Sequence, residues 1–97
     1  VKLSEPGADL GLCLALVSAA TDKPLPEDLV ACGEVGLAGE LRQASNTARR
    51  LAEAARLGFT RAIIPASSAK DLKISGIKLQ PAETVAQALA LAGLTTK

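Results

Sequence analysis

An α/β domain is expected from three features of the 97-residue sequence. Helix-like and strand-like patterns alternate along it, the order that builds layered α/β architectures. Hydrophobic residues make up 48% of the chain, near the globular average, so a core is available. That core is aliphatic, with 19 Ala and 16 Leu against a single Phe, Phe59. At this length, residues 1–97 make at most one domain.

Taken in order, Val1 to Leu3 alternate in polarity and read as the end of a strand. That strand lies so close to the start that the chain looks like a piece of a larger protein. Ser4 and Pro6 form a helix start, with a capping hydroxyl and a proline where its missing N–H costs nothing. The helix, about Pro6 to Ala20, is apolar nearly all round and should be central. Pro24 and Pro26 make the next segment a loop. A continuous apolar run predicts a covered strand from about Leu29 to Val35. Gly36 and Gly39 flank Leu37-Ala38 in a hairpin or bulge, with Glu40 to Arg42 as the returning arm. Ser45 or Asn46 caps a helix over about Thr47 to Leu57, and Gly58 stops it. Ala48, Leu51 and Ala55, with Ala52, are expected as its inner stripe. Arg49, Glu53 and Arg56 share an outer face and can pair, and Arg50 points away to one side. Arg61 to Pro65 reads as a short buried strand. Ser67 or Ser68 opens a helical turn through Leu72, and Ile74 to Leu79 suits an edge strand. A last helix spans about Ala82 to Leu91, with Val85, Leu89 and Ala92 inward and Gly93 as its stop.

Composition removes much chemistry. The chain has no His, so it holds no Ser-His-Asp or Cys-His nucleophile system and no histidine metal ligand. One aromatic residue cannot build a platform for stacking single-stranded bases. Cys13 and Cys32 lie in apolar stretches without a CxxC pair. Two buried free thiols in a reducing compartment are favoured over a disulfide. The most apolar run, Leu10 to Ala20, is too short for a bilayer, and no secretory signal is visible, so a cytoplasmic setting without a membrane partner is expected. The glycines of GEVGLAGE lack the lysine-serine pair of a phosphate-binding loop and read as tight turning. Glu27 and Asp28 read as a solvated pair, and Glu34 and Glu40 as structural partners for an arginine of the neighbouring helix. No serine sits in an activating motif.

Net charge is +1, but unevenly spread. Residues 1–41 carry −5, residues 42–61 carry +4 and residues 62–97 carry +2. The middle block holds all five arginines: Arg42, Arg49, Arg50, Arg56 and Arg61. Such a block is a solvated helix face or a phosphate-contacting one.

The segments EPGADLGLCLALVSA, PLPEDLVACGEVGLAGELR and RRLAEAARLGFTRAIIP together resemble the carboxy-terminal part of the bacterial RadA family of RecA-like DNA repair ATPases. More distantly, they are similar to the proteolytic domain of Lon proteases. The resemblance covers essentially the whole chain and is most specific at GEVGLAGELR and EAARLGFTRAIIP. It implies the ribosomal protein S5 domain 2-like α/β fold in its Lon-type variant, of which this chain holds the C-terminal part. Lon proteases use a serine–lysine dyad. By resemblance the serine position falls on Gly7. An ungapped count from Gly39 to Gly58 puts the lysine position on Ala48. Neither residue offers a nucleophile or a base, so a vestigial protease site is implied.

The family further implies a hexameric, ATP-driven motor on DNA that promotes branch migration. Its ATP and zinc sites would lie outside this segment, which itself would take no cofactor. The implied partners are other copies of the chain, the DNA backbone and a RecA-type recombinase. The reading is then a non-catalytic scaffold that also contacts DNA through Arg42, Arg49, Arg50, Arg56 and Arg61. The alternatives are a pure oligomerisation module or, less favoured, a serine–lysine peptidase with a displaced dyad.

Overall fold

The computed structural model describes Leu14 and residues 18–43, 47–72, 74 and 76–94. A three-stranded parallel sheet forms its centre. Strand β1 (Leu29–Ala31) and strand β4 (Arg61–Pro65) pair in the register Leu29–Arg61 to Ala31–Ile63, and β4 pairs with β5 (Lys78–Ala82) from Arg61–Lys78 to Pro65–Ala82. Parallel neighbours need a crossover. Between β1 and β4 it contains a hairpin and helix α1 (Thr47–Arg56); between β4 and β5 it contains a six-residue 3-10 helix, Ala66–Asp71. Helix α2 (Val85–Leu91) follows β5.

The run expected as one strand from Leu29 to Val35 divides in two. After Ala31 the chain leaves the parallel sheet, and Glu34–Val35 (β2) pairs antiparallel with Leu41–Arg42 (β3) in a separate hairpin. Gly33 makes the break. Its φ is +152°, and a Cβ there would meet the Pro65 ring at 3.0 Å. Apolar character alone could not register this, because both pieces are partly buried. The strand expected over 74–79 begins later, at Lys78, after a turn at Gly76 with φ +83°. It is an edge strand, as its alternation suggested. Lys78 N–H donates to the Thr60 carbonyl at 2.8 Å, so by alternation Leu79 and Pro81 face the open side. A proline there withholds a donor from any strand that would add to the edge.

The last helix also starts later than expected. Ala82 is the final residue of β5, and Thr84 caps α2 by accepting a hydrogen bond from Gln87 N–H at 3.2 Å. Gly93, at φ +80°, follows its end. Of the inward residues expected there, Ala92 is buried, Val85 and Leu89 are half-buried, and Ala88 is fully buried. Leu14 and residues 18–20 are helical, within the expected first helix, which runs one residue further to Thr21, and Leu14 is buried. The strand at Val1 to Leu3, the Ser4-Pro6 start, Cys13, and the caps at Ser45 or Asn46 lie outside the described residues.

Alternation in β4 sends its side chains to two cores. Ile63 packs with Leu14, Leu41, Ala82, Ala88, Ala92 and Leu94. Ala62 and Ile64 face the other way, with Cys32, Leu51, Ala54 and Ile77. The sheet is therefore covered by α2 on one face and by α1 on the other. The inner stripe of α1 differs from expectation: Thr47, Leu51 and Ala54 are buried, Ala55 is half-buried, and Ala48 and Ala52 are exposed. Alanine is small enough for either side of a helix, so its periodicity says little about the face. The hairpin is tied to the start of α2 by Leu41 N–H to the Glu83 carbonyl and Val85 N–H to the Gly39 carbonyl, both 2.9 Å.

Candidate nucleic-acid interface

The arginine block does not form one uniform patch. Arg49 lies exposed in the first half of α1, and among the described residues it makes no ion pair. Arg56, two turns along the same outer face, is exposed and pairs with Glu53, with Nη2 2.7 Å from Oε1 and 2.5 Å from Oε2. This is the pairing that their spacing on α1 suggested. Arg50, one residue beyond Arg49, is half-buried and turned inward, and its charge reaches Cys32.

Arg42 and Arg61 lie off the helix. Arg42, on β3, holds the Glu40 carboxylate at 2.8 Å; the Arg42 side chain is largely exposed and that of Glu40 is partly exposed. Glu40 therefore takes its cation from the returning arm of its own hairpin, two residues on, and not from the helix. Residues i and i+2 of a strand share a face, a signal present in the sequence. Its own backbone N–H, then the Arg42 hydrogen bond and less strongly the Ala38 N–H, hold the Glu40 carboxyl below its ordinary range.

Arg61 opens β4 and is only 30% exposed. Its Nε and Nη2 donate to Asp28 Oδ2 and Oδ1 at 3.1 and 3.2 Å. Thr60 Oγ1 donates to the same carboxylate at 2.9 Å, and the Asp28 carbonyl accepts from the N–H groups of Thr60 and Arg61. These contacts hold the Asp28 carboxyl below its ordinary range, with the Arg61 hydrogen bonds the largest cause. Asp28 thus belongs to a clasp between the loop before β1 and the start of β4. Read from sequence as one of a solvated pair with Glu27, it shows no local sign of a partner thirty-two and thirty-three residues away.

Of the two positions matched to the protease dyad, Gly7 lies outside the described residues. Ala48 sits in the first turn of α1 with its methyl group toward solvent. A methyl group can neither give nor take a proton there. Cys32 is a buried free thiol; burial pushes it above the ordinary thiol range, and the Arg50 charge only partly opposes this. Such a thiol is a core residue rather than a nucleophile. Among the described residues, no cluster of acidic residues and cysteines could hold a metal ion, and no helix is long and apolar enough to cross a membrane.

The chain is 45% identical over 91 residues to the DNA repair protein RadA of Escherichia coli (strain K12), covering 94% of this chain and 20% of that protein. It is 47% identical over 89 residues to the DNA repair protein RadA of Mycobacterium tuberculosis (strain ATCC 25618 / H37Rv), covering 92% and 18%. For the DNA repair protein RadA of Aquifex aeolicus (strain VF5) the identity is 39% over 89 residues, covering 92% and 20%. The chain thus spans about a fifth of the length of the curated relatives it matches. The family model of the Lon protease (S16) C-terminal proteolytic domain matches residues 2–93. The central sheet, the hairpin and helix α1 all fall inside that match, and the chain belongs to the Lon protease (S16) C-terminal proteolytic domain family.

Proposed function

We propose that this chain is a non-catalytic Lon-type module of a RadA-like DNA repair protein, serving as a ring-forming scaffold that also contacts the DNA backbone. The observation that carries the DNA part is Arg49, an exposed guanidinium on the outer face of α1 with no carboxylate partner among the described residues. Arg42 and Arg56 support it, because exposed ion pairs are worth only about 0–1 kcal/mol and can exchange a carboxylate for a phosphate. Arg61 contributes less, being clasped by Asp28 on both forks. Contact of this kind reads charge and shape rather than base identity, which suits a chain with one aromatic residue. In this reading residues 1–97 form one domain with the ribosomal protein S5 domain 2-like architecture. ATP and zinc are handled by other parts of the RadA-like protein, whose partners include a RecA-type recombinase.

Duplex binding measured between about 50 and 200 mM salt tests this. The Arg49→Ala variant should weaken binding and lower the slope of log affinity against log salt by about 1, and adding Arg50→Ala should lower it by less than a further unit, because Arg50 is half-buried. An unchanged slope removes these residues from the phosphate contacts. The second reading, a pure scaffold, draws on Arg42, Arg56 and Arg61 each being held by an acid of the same chain. It prevails if the unaltered chain shows no duplex binding at any salt concentration in that range.

A further inference from the structure

The outer face of α1 carries both signs of charge, in the order Arg49, Glu53, Arg56. The acid stands four residues after one arginine and three before the other, so both are within its reach. It goes to Arg56, whose Nη2 donates to both Glu53 oxygens at 2.7 and 2.5 Å. The order along the helix explains the choice. An acid N-terminal to its base agrees with the helix dipole, and Arg56, in the last turn, is favoured by that dipole as well. Arg49 meets the acid in the reverse order, and its charge stays free of any ion pair among the described residues.

The two exposed acid–arginine pairs of the block differ in what else holds the acid. The Glu40 carboxylate, paired with Arg42, also accepts from Ala38 N–H at 3.1 Å and lies over Gly36, so the hairpin turn retains it. The Glu53 carboxylate has no partner besides Arg56 among the described residues, and the two side chains are 53% and 74% exposed. Rotation about its own side-chain bonds is enough to release Arg56.

We propose that the Glu53 carboxylate occupies on Arg56 the place that a DNA phosphate would take, and so restrains duplex binding at α1. The inference rests on the DNA-contact reading given above and adds the regulation of that same face. A carboxylate and a phosphate present the same pair of oxygens to a guanidinium. While Glu53 is in place the pair is electrically neutral, so Arg56 neutralises no phosphate on balance and adds nothing to counterion release. Glu53 also sets a negative charge one turn from Arg49, beside any phosphate held there. Seven residues of helix rise about 10 Å, so a released Arg56 reaches a different phosphate from Arg49. The restraint is mild by nature, because an exposed pair changes an equilibrium by at most about fivefold. It tunes the contact without blocking it.

The test is duplex binding by the 97-residue chain across the same salt range. Glu53→Gln keeps the size of the side chain and removes its charge. It should bind about two- to fivefold tighter and steepen the slope of log affinity against log salt by up to about 1. Arg56→Ala in the Glu53→Gln background should take that added slope away. Glu27→Gln removes the same unit of charge from the exposed loop before β1 and should leave the slope unchanged. Unaltered affinity and slope in Glu53→Gln overturn the proposal. So does a gain that Glu27→Gln reproduces, or one that survives Arg56→Ala. In those cases the DNA reading still stands if the chain binds duplex and Arg49→Ala lowers its slope. If neither the unaltered chain nor Glu53→Gln binds duplex, the two fail together.

Discussion

Asp28 and Arg61 are 33 residues apart in the chain, yet they make its most enclosed ion pair among the described residues. Two forks of one guanidinium on two oxygens of one carboxylate fix direction as well as distance. The Thr60 hydroxyl and two backbone N–H groups complete the clasp and set the register at which β4 meets β1. Its pH behaviour has a defined sign. The folded Asp28 carboxyl sits below its ordinary value, so the unfolded chain binds the proton more readily. The stabilisation is complete above the unfolded value, about 4, and is lost as pH falls through the lower folded value. Asp28→Asn should therefore flatten the dependence of the urea midpoint on pH below about pH 5. Glu27→Gln, one residue earlier and exposed, should leave that dependence in place. Equal flattening by both would show that the clasp contributes nothing specific.

Helix α1 shows what an element owes to one residue. Leu51 is completely buried against Ala62 and Ile64, and Leu51→Ala should cost about 2–5 kcal/mol in urea unfolding. Ala48→Lys, which puts an amine at the matched dyad position, points to solvent and should change stability by no more than about 0.5 kcal/mol. A cost near that of Leu51→Ala would place residue 48 in the core after all. This contrast also marks what was legible in the sequence. Leucine, glycine and proline carried their meaning locally: Leu51 pointed inward, Gly58 followed the helix at φ +104°, and Pro65 ended β4. Alanine did not, because a methyl group fits a core and a surface alike, and so the inner stripe was misplaced toward Ala48 and Ala52. The split at Gly33 depended on the Pro65 ring, thirty-two residues onward, which no window around residues 29–35 contains. The candidate site divided the same way. The Glu53–Arg56 pair followed from helix spacing, whereas the inward turn of Arg50 and the capture of Arg61 depended on tertiary neighbours.

At the scale of the whole molecule, the sheet is a wall shared by two cores. Ile63 and Ile64 are adjacent and both fully buried, yet one serves the α2 side and the other the α1 side. A domain has only about 5–15 kcal/mol of net stability. Removing three carbons from either isoleucine should cost about 2–5 kcal/mol, so Ile63→Ala and Ile64→Ala should each fold and their combination should not. Because one strand carries both contacts, damage to one side must loosen the other. Cys32 reports this, being a free thiol in the Ile64 cluster. In a Cys13→Ser background, Ile63→Ala should move the urea midpoint for Cys32 labelling down together with the midpoint for loss of helical circular dichroism. Coincident midpoints are the mark of a single cooperative unit. Were the thiol to keep its original midpoint while helical signal fell early, the α1 side would be holding itself together. The sheet would then join two separately folding layers instead of making them one.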